Sequence, residues 1–377
     1  MKKFDLQQFL KDLEQLVNID SNGSDPEGTN KVAAYIAAMF NSSEWHIKYV
    51  DGGSDVGHAM EITNTEQDEY DVVVITHMDT VFDRGEAAKR PFKIENGIAY
   101  GPGVTDMKSG LLLGVYAALN CVEELKPLRV CLAFNSEEEK GSQHYQNWFY
   151  ELGKKSSYAI VMEPGRPHGE HVFERKGVAM YNAKFHGKDS HAGTNHQDGR
   201  SAINEMAYWI GKLSELTNYE TGVTVNVGLV KGGIGINTVA AEAEMGIDLR
   251  VKTLDQIDIF TNKVAELREH AKEHEITVEI ESKAGYPPMF KSAKTDEFIA
   301  LVNAEAVKLG MGTEWISVGG GSDGSFVASV GVPTIDAMGP IGGRAHTPEE
   351  YLEVASIEPA YELLANVLLQ LKKKLYA

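Results

Sequence analysis

The sequence predicts an α/β protein in which a mostly parallel sheet flanked by helices is interrupted by an inserted unit of ferredoxin-like βαββαβ order. Three observations carry this prediction. Runs such as Val72-Val73-Val74-Ile75 are apolar at every position, the pattern of strands buried on both faces of a parallel sheet. They alternate with segments of helical period, which builds such a sheet with helices on both sides. Near Gly177 the texture changes to longer strands of two-residue period, and after Gly285-Tyr286-Pro287-Pro288 the first texture returns. The expected division is 1–176 and 287–377 for one domain and 177–286 for the inserted one.

Element by element, Leu6, Phe9, Leu10, Leu13, Leu16 and Val17 share one face of an N-terminal helix. A strand over 71–76 follows, then a hairpin over 91–100 turned by Asn96-Gly97, and a Leu- and Ala-rich helix over 106–125. Strands at 128–134 and 158–162 flank a helix near 143–152. The inserted unit reads strand 178–187, helix 201–216, strands 222–230 and 239–252, helix 255–273 and strand 275–283. Helix 296–309, strand 315–318, a glycine loop, strand 332–338 and a closing helix over 356–375 complete the chain. Its Lys372-Lys373-Lys374 sits well against the helix dipole.

Composition excludes several functions. The 377 residues carry 36 Lys and Arg against 55 Asp and Glu, a formal charge of −19, which argues against phosphate backbones and anionic membranes as partners. Only Cys121 and Cys131 occur, both in apolar runs, so no disulfide framework is expected and a reducing cytoplasm fits. No apolar run approaches the roughly 18 residues of a membrane span.

Ligands of open α/β sheets collect beyond the carboxyl ends of the strands. There the chain places His77-Met78-Asp79, then Asn135-Ser136-Glu137-Glu138-Glu139, then Glu163-Pro164, with the last strand running out towards His346. Asp106 stands at the start of the following helix. Singly, His77 reads as a structural histidine, Asp106 as a helix cap and the glutamates as a solvated charge run. Together they would repel if left empty, and a metal removes the difficulty. His, Asp and Glu donors without thiolate suit zinc or a similar divalent ion, and a carboxylate can bridge two of them.

These residues closely resemble the motifs of metallopeptidase family M20, which includes glutamate carboxypeptidase, acetylornithine deacetylase and succinyl-diaminopimelate desuccinylase. His77-Met78-Asp79-Thr80-Val81, Gly101 to Gly110 and Asn135 to Ser142 look like three of its signatures in order. The resemblance implies a zinc-peptidase catalytic domain with an inserted dimerisation domain, and a homodimer. It implies one metal held by His77, Asp106 and Glu163 and a second by Asp106, Glu139 and His346. Zinc is the expected ion, with cobalt and manganese as alternatives. Asp79 is implied to fix the His77 imidazole, and Glu138 to act as general base; Lys140-Gly141-Ser142 selects Glu138 and Glu139 over Glu137 and Glu138 for these roles. His191, from a partner subunit, is implied to stabilise the oxyanion, and Asn237 and Arg250 to hold a substrate carboxylate. The stretch after Asn237 departs from the family pattern. Gly321 and Ser322 of the glycine loop are implied to contact substrate. The expected reaction is hydrolysis of an amide next to a free carboxylate, in a small peptide or an N-acyl amino acid. Glu rather than Asp at position 163 accompanies carboxypeptidase and deacylase activity in the family.

Three rival readings exist. Gly319-Gly320-Gly321-Ser322-Asp323-Gly324 satisfies the dinucleotide-binding pattern, but too little chain follows for the required unit. The same residues satisfy a nucleophile elbow, with Ser322, Asp336 and His346 in the order of a serine-hydrolase triad, yet only one strand follows and the carboxylates go unexplained. A metal-binding relative without activity would have no need of Glu138 beside the ligands.

Overall fold

The computed structural model describes residues 2–41 and 44–376; Met1, Ser42, Ser43 and Ala377 lie outside the described residues. The chain divides into two compact units, one of residues 1–174, 289–318 and 322–377 and one of 175–288 and 319–321.

In the first unit, α1 (Leu6–Val17) buries the predicted face through Phe9, Leu13, Leu16 and Val17. α2 (Pro26–Met39) follows, capped by Asp25, whose carboxylate accepts from the Gly28 N–H at 3.2 Å. β1 (His46–Val50), β2 (Ala59–Thr63) and β3 (Tyr70–His77) come next, then a single turn α3 (Glu86–Lys89) and the hairpin β4 (Lys93–Glu95) and β5 (Ile98–Tyr100). The helix expected from residue 106 begins later, as α4 (Ser109–Asn120), with α5 (Val122–Leu125) behind it. The correction has a local cause. Asp106 (φ −112°, ψ 93°) and Met107 (φ −129°, ψ 36°) are outside the helical region. β6 (Val130–Asn135), α6 (Gln146–Lys154), β7 (Ser156–Val161) and β8 (His171–Arg175) complete this stretch.

The second unit holds β9 (Gly177–His186), β10 (Ser190–His191), α7 (Ala202–Ser214), β11 (Thr224–Gly232), β12 (Thr238–Val239), β13 (Glu242–Val251), α8 (Asp255–Glu273) and β14 (Thr277–Tyr286). The first unit then resumes with α9 (Ala293–Lys308), β15 (Trp315–Val318), α10 (Gly324–Ser329), β16 (Thr334–Ile335), β17 (Gly342–Gly343), β18 (Tyr351–Glu353) and α11 (Ile357–Tyr376). The strand predicted over 332–338 shrinks to β16.

The main sheet of the first unit has the order β1-β2-β6-β3-β7-β16. β6, β3, β7 and β16 run parallel, and β1 and β2 extend them antiparallel, so the sheet is mixed. Val72, Val74, Leu132 and Ile160 join the core cluster built with α1, α4, α9 and α11. Val73, Ile75, Ala133 and Val161 alternate with them and are also buried; α6 and α10 pack on β7 and on each other, with Phe149 stacked on Phe326 at 6.0 Å. Burial of both faces is why these strands lack polar alternation. In parallel register His77 stands opposite Asn135, so the ends of β3 and β6 are level.

The second unit is an antiparallel sheet of order β11-β13-β9-β14 covered by α7 and α8, with Trp209, Phe260 and Leu267 in its core. β13 buries every second residue, as a strand with one packed face should. Among the described residues no helix is long and apolar enough to cross a membrane. Both cysteines are buried free thiols.

Asp71 ties the far end of the parallel strands to the C-terminal helix. Its buried carboxylate accepts from the Arg129 backbone N–H at 2.8 Å, the Arg129 guanidinium at 2.8 Å and the Tyr376 hydroxyl at 2.6 Å. Burial alone would raise its pKa, but the hydrogen bonds from Arg129 and Tyr376 outweigh it and hold the carboxyl below its usual value. Asp71→Asn is therefore expected to lower unfolding free energy by about 1.5–3 kcal/mol at pH 7. Because the folded pKa lies below the unfolded one, the difference between the two proteins persists at neutral pH and shrinks as pH falls below about 4. Urea titrations at pH 7 and pH 3 check both; equal stability at pH 7 contradicts the assignment.

Candidate metal centre

The site is built at the carboxyl ends of β3, β6 and β7 and in two loops of the same unit. His77 is the last residue of β3, and its ring is 1% exposed. Its Nδ1 meets the Asp79 backbone carbonyl at 3.0 Å and the Asp79 carboxylate at 3.4 Å. A carbonyl can only accept, so Nδ1 carries the proton in the neutral ring and the Nε2 lone pair points into the site. The expectation that the Asp79 side chain orients the imidazole is thus refined, since its backbone oxygen is the nearer acceptor. The carboxylate has another use: its two oxygens accept the N–H groups of Glu138 and Glu139, each at 3.0 Å.

Those bonds fix the turn after β6 and resolve the run of three glutamates. Glu137 points away and is buried, accepting from the backbone N–H and Nδ1 of His144 at 2.9 Å each. Glu139 turns its Oε2 to within 3.1 Å of His346 Nε2. Glu138 offers an oxygen within 4.8 Å of donor atoms of His77 and Glu163. Gly141, at φ 87°, closes the turn.

Asp106 is central. Its Oδ1 lies 3.2 Å from His77 Nε2 and its Oδ2 3.3 Å from His346 Nε2, so each oxygen faces a different imidazole. Glu163, just beyond β7, comes within 3.7 Å of His77 Nε2. The alternative reading of Asp106 as a mere helix cap does not hold, because its carboxylate makes no cap hydrogen bond and the helix begins three residues on. Its backbone is held instead by Glu350, whose buried carboxylate accepts from Gly103 at 2.9 Å, Thr105 at 2.9 Å and Asp106 at 3.0 Å.

Hydrogen bonds to Asp106 and Glu139 raise the His346 pKa to about 10, and Asp106 is held below the usual carboxylate range despite its burial, by the two histidines. Burial pushes Glu138 well up and Glu139 up. Without a cation, then, protons must offset the crowded charge. The donors fit a divalent metal on their own chemistry: imidazole nitrogens and carboxylate oxygens converge, and Glu139 Oε1 is buried with no hydrogen-bond partner.

Two supports escaped sequence reasoning. Glu350 follows the equally acidic Glu349, and nothing in the sequence separates the buried residue from the exposed one. Asp323 sits beneath the turn after β6, accepting from Asn135 at 2.7 Å and Ser142 at 2.5 Å, and burial raises its pKa to about 7.

The glycine loop follows neither rival pattern. Ser322 is fully buried and donates to Asp336 at 2.6 Å, while His346 is engaged with Asp106 and Glu139, so no serine triad is assembled. The expectation that the Ser322 hydroxyl contacts substrate is corrected for the same reason. Among the described residues β15 pairs with β8 alone and α10 is six residues long, so no dinucleotide-binding unit is seen there.

His191, Asn237, Arg250 and Gly321 belong to the second unit. His191 is exposed on the short β10–β12 pair, and the Ala192 N–H donates to the Asn237 carbonyl at 2.9 Å, joining these two segments. Its Nδ1 accepts from the N–H groups of Gly193 at 3.1 Å and Thr194 at 3.2 Å, so the neutral ring carries its proton on Nε2. Asn237 is exposed. Arg250 is half-buried, bidentate to Asp248 at 2.8 Å on both oxygens, with a third bond to the Gly319 carbonyl at 3.1 Å.

The sequence pattern of peptidase family M20/M25/M40 matches residues 73–370. Carboxypeptidase G2 of Pseudomonas sp. (strain RS-16) is 26% identical over 376 residues, covering 96% of this chain and 89% of the relative. Succinyl-diaminopimelate desuccinylase of Rickettsia rickettsii (strain Sheila Smith) is 24% identical over 329 residues, covering 80% of this chain and 84% of the relative. Among solved structures, aminopeptidase PepT from Bacillus cereus superposes with a TM-score of 0.80 at 23% identity, covering 97% of this chain and 99% of that one, a likeness of fold.

Glu350→Gln puts an amide N–H₂ where a carboxylate oxygen meets backbone donors. It is expected to loosen the Asp106 loop and weaken zinc binding by about 10–100-fold, measured by competition with a chromophoric chelator. Unchanged affinity would show that the loop holds itself.

Proposed function

This chain belongs to peptidase family M20/M25/M40 and is a metal-dependent hydrolase of amide bonds, and we propose that it is a glutamate carboxypeptidase-like exopeptidase cutting an amide beside a free carboxylate. The observation that carries this reading is the placing of one imidazole Nε2 against each oxygen of Asp106, at 3.2 and 3.3 Å. It supports two divalent ions, expected to be zinc, one held by His77, Asp106 and Glu163 and the other by Asp106, Glu139 and His346. When bound, the ions supply Lewis-acid polarisation and make water a nucleophile near neutral pH.

The chain's own residues do the rest. Glu138 takes a proton from the attacking water and returns it to the leaving amine, and its burial, which raises the carboxyl pKa, suits it to hold that proton between the steps. The Asp79 carboxylate keeps Glu138 in place by accepting the Glu138 backbone N–H, and the Asp79 carbonyl keeps His77 in one tautomer. His191, proposed to come from a second copy of the chain, donates from Nε2 to the oxyanion; its accepting Nδ1 supports that tautomer. Arg250 and Asn237 receive the substrate carboxylate. Asp248 sets the plane of the guanidinium, while its engagement leaves Arg250 fewer N–H groups for substrate than an unpaired arginine has.

A homodimer through the second unit is supported by β11. It is an edge strand, and Leu229 on it is 72% exposed, with Ile234 at 90% and Ile236 at 107% just beyond. A long apolar edge left open invites pairing with another chain. The relative named as a desuccinylase favours a second reading, an N-acyl-amino-acid deacylase of the same mechanism.

Glu138→Gln is expected to lower turnover by about 10²–10⁴-fold with metal content unchanged by elemental analysis; normal turnover would remove Glu138 from the chemistry. A hydrolysis screen of dipeptides and N-acyl amino acids on zinc-reconstituted protein, with and without chelator, tests the substrate class. Chelator-sensitive cleavage of peptides with a free C-terminus is expected, whereas cleavage of acyl groups alone selects the deacylase.

A further inference from the structure

We infer that Glu205, His270 and His274 form a further divalent transition-metal site, in the second unit, between α7 and α8. His270 and His274 are four apart and so share one face at the end of α8, and Glu205 approaches from α7. One donor atom of each lies within 4.8 Å of the other two.

The surroundings prepare these atoms for an ion. Glu205 is 6% exposed, and its Oε1 is positioned by the Trp209 indole N–H at 3.1 Å and faces His270 Nδ1 at 2.9 Å. His274 Nδ1 meets the His270 carbonyl at 2.8 Å. As a carbonyl only accepts, that nitrogen carries the proton and leaves the His274 Nε2 lone pair for a ligand, the arrangement by which metal-binding histidines are usually oriented. The His270 ring packs against Tyr208, stacked at 4.0 Å, and against His274 at 4.3 Å.

A purely structural role accounts for Glu205 and His270, which satisfy each other across the two helices, and for His274 Nδ1 on the His270 carbonyl, but it does not account for the approach of a His274 ring nitrogen to within 4.8 Å of donor atoms of the other two. Two imidazoles and one carboxylate make a set for zinc, nickel or copper rather than for calcium or magnesium, with a fourth position left to water. The ion replaces the proton shared by Glu205 and His270, and it pins α7 to α8. This inference does not rest on the reading of the His77 cluster, whose residues lie in the other unit.

The test is a zinc count per chain by elemental analysis after equilibrium dialysis of metal-stripped full-length protein. His274→Gln and His270→Gln are each expected to bind one zinc fewer than the unmodified chain, with amide hydrolysis unchanged. In a His77→Ala, Asp106→Asn background one zinc is expected to remain and to be lost on adding His274→Gln. Zinc is also expected to raise the melting temperature of that background protein, and not once His274→Gln is added. An unchanged count in the His274 variant overturns the three-donor site: with the His270 variant also unchanged, Glu205 and His270 are a hydrogen-bonded pair with no ion, and with a zinc lost from the His270 variant alone, the ion is held without His274.

Discussion

Mutual repulsion among Asp79, Asp106, Glu138, Glu139 and Glu163 is the constraint around which the first unit is arranged. Two like charges 4 Å apart cost about 4 kcal/mol even at an effective dielectric of 20, and here several meet at one sheet edge. Such a cluster persists only if backbone and side-chain partners prevent it from spreading. Asp79 is held by two N–H groups of the turn after β6, Asp106 through the three N–H bonds of Glu350, and Glu139 through His346. The neighbouring carboxylates raise the pKa of both His77 and His346, which favours their charged forms, and the same nitrogens are neutral donors to a bound cation. One arrangement thus serves both states.

The sheet makes this precision affordable. Parallel β3, β6 and β7 are buried on both faces, so their ends cannot shift without opening the core. Level ends of β3 and β6 set His77 beside Asn135, which in turn reaches Asp323 and Ser142 beneath the glutamate turn. Glycines complete the fit at close approaches. A Cβ on Gly110 would meet the Met162 carbonyl at 2.0 Å, pushing α4 off the strand that precedes Glu163.

Much of this was legible in the sequence for a physical reason. Unbroken apolar runs ending in His, Asn-Ser-Glu or Glu mark strand ends, and a strand end fixes where its next side chain must go. The missed elements carried weaker signals. α2 mixes Gly, Thr and Asn into its pattern, although Asp25-Pro26 is a readable cap and first turn. β2 is a five-residue strand holding a buried Glu61 among apolar neighbours, so neither periodicity stood out. Met107 to Leu125 is rich in helix formers and so predicts a helix from Asp106, whereas the turn that lifts Asp106 clear is held by Glu350, more than 240 residues away. Long-range support of that kind leaves no local trace. Around Ser322 a short glycine-rich motif fits several functional patterns, and nothing local in it reveals that burial commits the hydroxyl to Asp336.

A crystal structure of the zinc-loaded protein, with anomalous difference maps at the zinc edge, tests the central claim most directly. Two peaks about 3.5–4 Å apart, one on each side of the Asp106 carboxylate, are expected. A single peak there, or ions that leave Asp106 untouched, would contradict the account.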